Sequence, residues 1–151
     1  MERIQRSTTE SPEERPAGIR QLLRGRRKIH RGQMEKKNPE CAVALSDDRP
    51  VGMIAYVFDT GLKTRHIAEI YGFYVSAAHR GEGVGTRLLE QALSLIRKKK
   101  GIVKARLYVN TEQRAAVNLY KKAGFVVRGK IKKELKVGRR FFDMLILEKM
   151  F

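Results

Sequence analysis

The run Arg80-Gly81-Glu82-Gly83-Val84-Gly85 is the part of this chain best suited to chemistry on an anion. A glycine-rich turn lets successive backbone N–H groups converge on one point, and a helix beginning there adds the positive end of its dipole. The combination suits a pyrophosphate. The spacing Arg-x-x-Gly-x-Gly, continued by Thr86-Arg87-Leu88-Leu89, is neither the Gly-x-Gly-x-x-Gly of dinucleotide sites nor a P-loop ending in Gly-Lys-Ser/Thr. A glycine cluster alone reads equally well as a plain loop, so the flanking elements decide.

Holding such a turn in place takes a strand before it and a helix after it. Ile67 to Val75 is rich in β-branched and aromatic residues, as a largely buried strand is. Val84, Leu88, Leu89, Ala92, Leu95 and Ile96 then recur at helical spacing, with Arg87, Glu90, Gln91 and Ser94 on the other face.

With those flanks, Val75-Ser-Ala-Ala-His-Arg80-Gly-Glu-Gly-Val-Gly85 resembles the pantetheine and pyrophosphate signature of the GNAT superfamily of acyl-CoA-dependent N-acyltransferases. A second segment, Ala116-Val-Asn-Leu-Tyr120-Lys-Lys-Ala-Gly124-Phe125, is similar to that family's Ala-x-x-Leu-Tyr-x-x-x-Gly-Phe element, a helix closed by a glycine cap. The two stand in the family's order, about thirty residues apart, with the strand-like run Ile102 to Val109 between them. The resemblance implies an N-acetyltransferase that uses acetyl-CoA as cosubstrate and passes the acetyl group directly to a primary amine of a small molecule or a protein. It implies cofactor contacts from Arg80, Gly81, Glu82, Gly83, Val84, Gly85 and Thr86. It also implies backbone donors at Phe73, Tyr74 and Val75 for the thioester carbonyl, at a bulge that splays two parallel strands and admits the pantetheine arm. Many relatives carry Asn three residues before the alanine of the second segment, where this chain has Gln113. The amide contact either stays with the longer Gln113 or moves to Asn118.

Transfer of an acyl group to an amine needs a neutral nucleophile, whereas an alkyl ammonium holds its proton up to a pKa of about 10. A base or a water chain must remove that proton. Glu69, eleven residues before Arg80, stands where proteins similar to this one often place a catalytic glutamate; the alternative is that it pairs with a neighbouring Lys or Arg. The thiolate leaving group has the opposite need, a donor at the departing sulfur. Tyr120 matches the tyrosine that many family members use as the acid for this, while a tyrosine near a helix end by itself reads as core packing. Cys41 lies outside both segments, and direct transfer needs no covalent intermediate. His79 could touch phosphate or sit exposed in a turn, and His30 and His66 have no catalytic partner in the sequence. Asp143, in Arg139-Arg140-Phe141-Phe142-Asp143, could line an acceptor cleft or finish the sheet.

Composition bounds the rest. A chain of 151 residues is the size of one domain, here 1–151, and can bury a sizeable core. One cysteine excludes an internal disulfide framework, and with three histidines it makes no usual metal-ligand spacing, so no metal is expected. No stretch nears the roughly 18 apolar residues of a membrane span, and the start lacks the apolar core of a signal peptide. The expectation is a cytoplasmic protein in a reducing setting, monomeric or homodimeric. The formal charge of +17 gathers at Arg24 to Lys28, Arg97 to Lys100, Lys130 to Lys136 and Arg139-Arg140. It has three readings: solvated faces and guarded strand edges, nucleic-acid binding, or steering of an anionic cofactor or acidic substrate. A basic nucleic-acid-binding module that keeps the fold without catalysis is the rival from another class.

Along the chain, Arg3 to Ser7 reads as a short strand and Ser11-Pro12-Glu13-Glu14 as a helix start, with Ile19, Leu22 and Leu23 on that helix's apolar side. A basic helical stretch spans about Arg26 to Lys36. A hairpin turns at Ser46-Asp47-Asp48-Arg49, Gly61 breaks the run before the strand of Glu69, and Phe125 to Lys136 with Arg139 to Lys149 form a last pair around Gly138. The expected order is β-α-α-β-β-β-α-β-α-β-β, one GNAT-like α/β domain with a twisted mixed β-sheet flanked by helices.

Overall fold

A computed structural model describes Gln21–Arg26 and residues 39–151. The elements are β1 (Gln21–Arg26), β2 (Glu40–Ser46), β3 (Arg49–Phe58), β4 (Ile67–Val75), α1 (Val84–Arg97), β5 (Lys104–Asn110), α2 (Arg114–Lys122), β6 (Val126–Val137) and β7 (Arg140–Met150), with a single 3-10 turn at Ala77–His79. From Glu40 onward the order is the expected β-β-β-α-β-α-β-β. The first strand at Arg3 to Ser7, the helix from Ser11 and nearly all of the helix from Arg26 to Lys36 lie outside the described residues. Leu22 and Leu23 correct one expectation. They belong to a strand, not a helix, since Gln21–Arg26 pairs at every position with β2, from Gln21↔Leu45 to Arg26↔Glu40. A few residues of helical spacing are a weak local preference. The unpaired N–H and C=O groups along the outer edge of β2 outweigh it.

The seven strands make one mixed sheet in the order β1-β2-β3-β4-β5-β7-β6. All neighbours are antiparallel except β4 and β5, which run parallel and are joined by α1. The β2–β3 hairpin turns at Asp47 and Asp48, whose φ values of 47° and 61° are both left-handed. That conformation matches the twist of the flanking strands, and Asp tolerates it without a glycine.

Both helices pack on one face of the sheet. α1 buries Val84, Leu88, Leu89, Ala92 and Ile96, and α2 buries Val117 and Tyr120. They meet Ile54, Tyr56, Ala68, Ile70, Leu107 and Leu147 in one core cluster. Every second residue of β4 and β5 therefore faces the helices, which leaves Glu69 and Arg106 on the opposite face.

Candidate functional site

Strand β4 changes face partway along its length. Ala68 and Ile70 point into the helix-side core, but beyond Gly72 it is Phe73 and Val75 that pack there, while Tyr74 is exposed. The cause is a bulge: Ala55↔Tyr71 and Met53↔Tyr74 leave one residue of β3 against two of β4. Gly72 absorbs the extra residue at φ 59°, a conformation open to glycine. On its other side β4 pairs with β5 only from Ile67↔Lys104 to Ile70↔Leu107. Both strands continue, β4 to Val75 and β5 to Asn110, so a gap opens between them and leaves backbone groups of Tyr71 to Val75 without a β5 partner. The expected bulge is present at the expected strand. Gly72, which makes it, was not singled out in the sequence, although a lone glycine inside a strand pattern is the signal for one.

The gap leads to the glycine turn. Gly81 and Gly83 adopt φ of 82° and 78°, and a Cβ at either would meet nothing within 4 Å. Gly83 occupies the N-cap position of α1, no side chain caps that end, and the first turn holds no acidic residue. The N–H groups and positive dipole end of α1 therefore face open space. Arg80 donates from Nε to the carbonyl of Val75 at 3.1 Å, which ties the turn to the end of β4. Gly85 serves close approach: a Cβ there would lie 3.3 Å from the Phe73 ring and 3.5 Å from Leu119. Val84 is buried in the core, while Glu82 and Thr86 are exposed. His79 accepts or donates at Nδ1 with Ser76 Oγ at 2.9 Å, closing the 3-10 turn, and not at the glycine turn itself.

Tyr120 borders the gap from the helix side. Its ring centroid is 5.9 Å from that of Phe73 and 5.9 Å from that of Phe125. The end of α2 fixes it there. The N–H of Phe125 donates to the Tyr120 carbonyl at 3.0 Å and that of Gly124 to the Lys121 carbonyl at 3.0 Å, with Gly124 at φ 90°. This pair of bonds is a Schellman cap, and it swings Phe125 back onto the Tyr120 ring. Burial pushes the Tyr120 hydroxyl up to about 12. That hydroxyl has no hydrogen-bond partner among the described residues and is not sealed from solvent.

Glu69 flanks the same gap from the other face, half-buried and one residue before the last β4–β5 pair. Its cross-strand neighbour Arg106 is taken by Glu148, which accepts from Arg106 Nε at 3.0 Å and from Lys104 Nζ at 2.7 Å. Those partners, Lys104 first, hold the Glu148 carboxyl below its ordinary range. Glu69 itself forms no ion pair among the described residues. Tyr71, two residues on and on the same face, has its hydroxyl pushed up by burial, then by the charge of Glu69 and by Cys41. Tyr71 therefore lies between Glu69 and buried Cys41, and the approach of Cys41, thirty residues earlier in the chain, is not visible in the sequence.

Gln113 and Asn118 are both exposed, Gln113 at the N-cap position of α2 without a side-chain cap bond and Asn118 within the helix. Asp143 has a structural task instead. Its carboxylate accepts from the Lys133 N–H at 2.9 Å and pairs with Lys130 at 3.0 Å, and the Lys133 bond leads in holding its carboxyl low. A groove of about 610 Å³ starts at Thr86 and runs between α1 and α2, with Leu89, Leu93, Leu119 and Phe151 along its floor and Arg97, Lys122 and Lys149 at its rim. Phe151 and Lys149 join it only through the path of β7.

Comparison with known proteins agrees with this geometry. The sequence profile of the acetyltransferase (GNAT) family matches residues 2–125. An uncharacterized N-acetyltransferase of Methanocaldococcus jannaschii is 32% identical over 94 residues, 61% of this chain and 41% of that protein. This chain thus matches less than half of that relative's length. Among solved structures, an acetyltransferase of the GNAT family from Streptococcus pneumoniae superposes with a TM-score of 0.70 at 23% identity, over 79% of this chain and 70% of the other. A ribosomal-protein-alanine N-acetyltransferase from Brucella melitensis superposes with a TM-score of 0.68 at 24% identity, over 78% and 70%. At those identities the two structures speak to the fold.

Proposed function

The chain belongs to the acetyltransferase (GNAT) family, and from that premise we propose that it is an acetyl-CoA-dependent N-acetyltransferase acting directly on a primary amine. One observation carries the reading: β4 and β5 part beyond Ile70↔Leu107, and the unpaired length of β4 leads to the two left-handed glycines at the head of α1. A slot with free backbone groups suits a narrow amide-bearing arm. An uncapped helix start beside open glycines suits a pyrophosphate, and an apolar groove with a cationic rim suits the nucleotide end.

When bound, acetyl-CoA supplies the activated acyl group as a thioester. The backbone of Phe73 to Val75 donates to the carbonyl oxygen as charge develops on it, and Arg80 to Thr86 hold the pyrophosphate. Glu69 takes the amine proton, directly or through water, from the face opposite the helices. Tyr120 donates to the departing sulfur from the helix side. Because its pKa is about 12, it is fully protonated at neutral pH, yet complete transfer to a thiolate whose acid sits near 8.5 runs uphill by roughly 5 kcal/mol. Tyr120 therefore stabilises the departing thiolate as a hydrogen-bond donor, in place of the full acid that the resemblance implies, and the thiolate takes its proton from water. The acceptor is a small amine or a protein N-terminal or lysine amine.

Thermal unfolding at physiological salt tests the cofactor site, with acetyl-CoA beside ATP and pyrophosphate as anionic controls. At 100 times its Kd a ligand stabilises by about 2.7 kcal/mol, a rise of roughly 5 to 10 °C for a chain of this size. A rise specific to acetyl-CoA supports the reading and leads to an amine panel. Equal rises with all three, or none, overturn it.

A further inference from the structure

Beyond Met144 the last hairpin leaves the sheet. The β5–β7 ladder ends at Asn110↔Met144, followed by one further bond from the Thr111 N–H to the Asp143 carbonyl at 3.1 Å, so Arg140 to Phe142 of β7 pair only with β6. Every residue from Lys132 to Phe141 is exposed. This ribbon carries Lys132, Lys133, Lys136 and Arg139, none of which forms an ion pair among the described residues; Lys130 and Arg140 are matched by Asp143 and Glu112. Aromatic rings alternate with the cations. Lys136 Nζ lies 5.6 Å from the centroid of Phe141, and the Arg140 guanidinium lies 4.8 Å from that of Phe142. Phe141 is 54% exposed.

Lysines on an edge strand such as β6 discourage pairing between molecules, and that alone accounts for Lys132 and Lys136. It does not account for Arg139 in the turn or for Leu135, Val137 and Phe141, all left in water beside them. Cations without an ion-pair partner, set among exposed apolar groups that include a ring, are what a single nucleic-acid strand recognises, because phosphates meet the cations while a base stacks on the ring. An acidic polypeptide would use the cations and leave the ring without a purpose. We infer that the β6–β7 ribbon from Lys132 to Phe142 is a docking arm for single-stranded nucleic acid. The arm projects from the end of the sheet where β4 and β5 part, and the inference stands whether or not the acetyltransferase reading holds.

The test is fluorescence anisotropy with a labelled twelve-residue oligouridylate, with duplex DNA and polyglutamate of equal charge as competitors. The oligonucleotide binds with log K falling linearly in log salt. Replacing Lys132, Lys136 and Arg139 together by Gln lowers that slope by about 2, since each cation on a single strand contributes roughly 0.7. Phe141→Ala weakens binding roughly 5- to 150-fold with the slope unchanged, and Phe141→Leu, which keeps the apolar bulk but not the ring, loses nearly as much. Circular dichroism and Tm matching the parent show that each variant keeps its fold. Polyglutamate competing as well as the oligonucleotide assigns the arm to acidic polypeptides and overturns the inference. So does binding that fails at physiological salt or a slope unchanged in the triple variant.

Discussion

Replacing Gly83 by Ala separates a phosphate cradle from an ordinary turn. Gly83 holds φ 78° with nothing within 4 Å of the place its Cβ would take, so the variant clashes with no protein atom. What it meets is the left-handed backbone itself, which costs an L-residue about 1 to 2 kcal/mol. For a chain of this length that lowers Tm by roughly 2 to 8 °C. Gly101 provides a matched control, at φ 87° with nothing within 4 Å, just past the far end of α1. Gly101→Ala therefore loses a similar Tm. The two variants part company in calorimetric titration with acetyl-CoA. The Gly83 methyl stands in space the pyrophosphate needs, and whatever part of the backbone cost the turn escapes by relaxing must be met again on binding, so Kd rises by up to about 30-fold. Gly101→Ala leaves Kd unchanged. Equal Kd values for parent and Gly83→Ala, or an equal loss in both variants, would refute the cradle.

Three more outcomes follow from the roles assigned. Glu69→Gln lowers turnover about 10²- to 10⁴-fold, most steeply at low pH where free amine is scarce, and leaves acetyl-CoA affinity intact; unchanged turnover across pH would remove Glu69 from the mechanism. Tyr120→Phe keeps the ring contacts with Phe73 and Phe125, so it slows the chemical step with little effect on binding. Its pH signature is equally specific. A folded-state pKa raised to about 12 contributes stability that is present below the unfolded value near 10 and is lost as pH rises through 12. Parent and Tyr120→Phe should differ by a constant amount up to about pH 10, with the parent then losing up to roughly 3 kcal/mol more. Parallel curves through pH 12 would mean that the hydroxyl titrates as if in water. Glu148, whose carboxyl is held low, contributes stability present above the unfolded value near 4.3 and lost as pH falls. Glu148→Gln should lower Tm by several degrees at neutral pH and converge with the parent in acid; a gap that persists in acid would assign the loss to packing.

The ribbon and the gap show why some features were legible in the sequence and others were not. The strand over Ile67–Val75, the helix beginning at Val84, the Asp47-Asp48 hairpin and the Gly124 cap were readable because each is a local decision, made by periodicity or by which residue tolerates φ above zero. The glycines before α1, read with the strand and helix that flank them, likewise pointed to a candidate anion site without reference to anything distant in the chain. Features that depend on neighbours far along the chain were not readable. Gln21–Arg26 became a strand because the edge of β2 needed partners, against the helical spacing of its own residues. Glu69 lies free of Arg106 because Glu148, from the opposite end of the chain, takes that guanidinium first. Cys41 comes to Tyr71 across two strand pairings, and Phe151 reaches the groove beside α1 only because β7 runs between β5 and β6. The sequence by itself determined the local elements and the chemical types present at the site. Only the tertiary structure decided which charges neutralise one another, where two strands stop pairing, and which side chains border the opening, because those outcomes depend on distances through space that spacing along the chain does not encode.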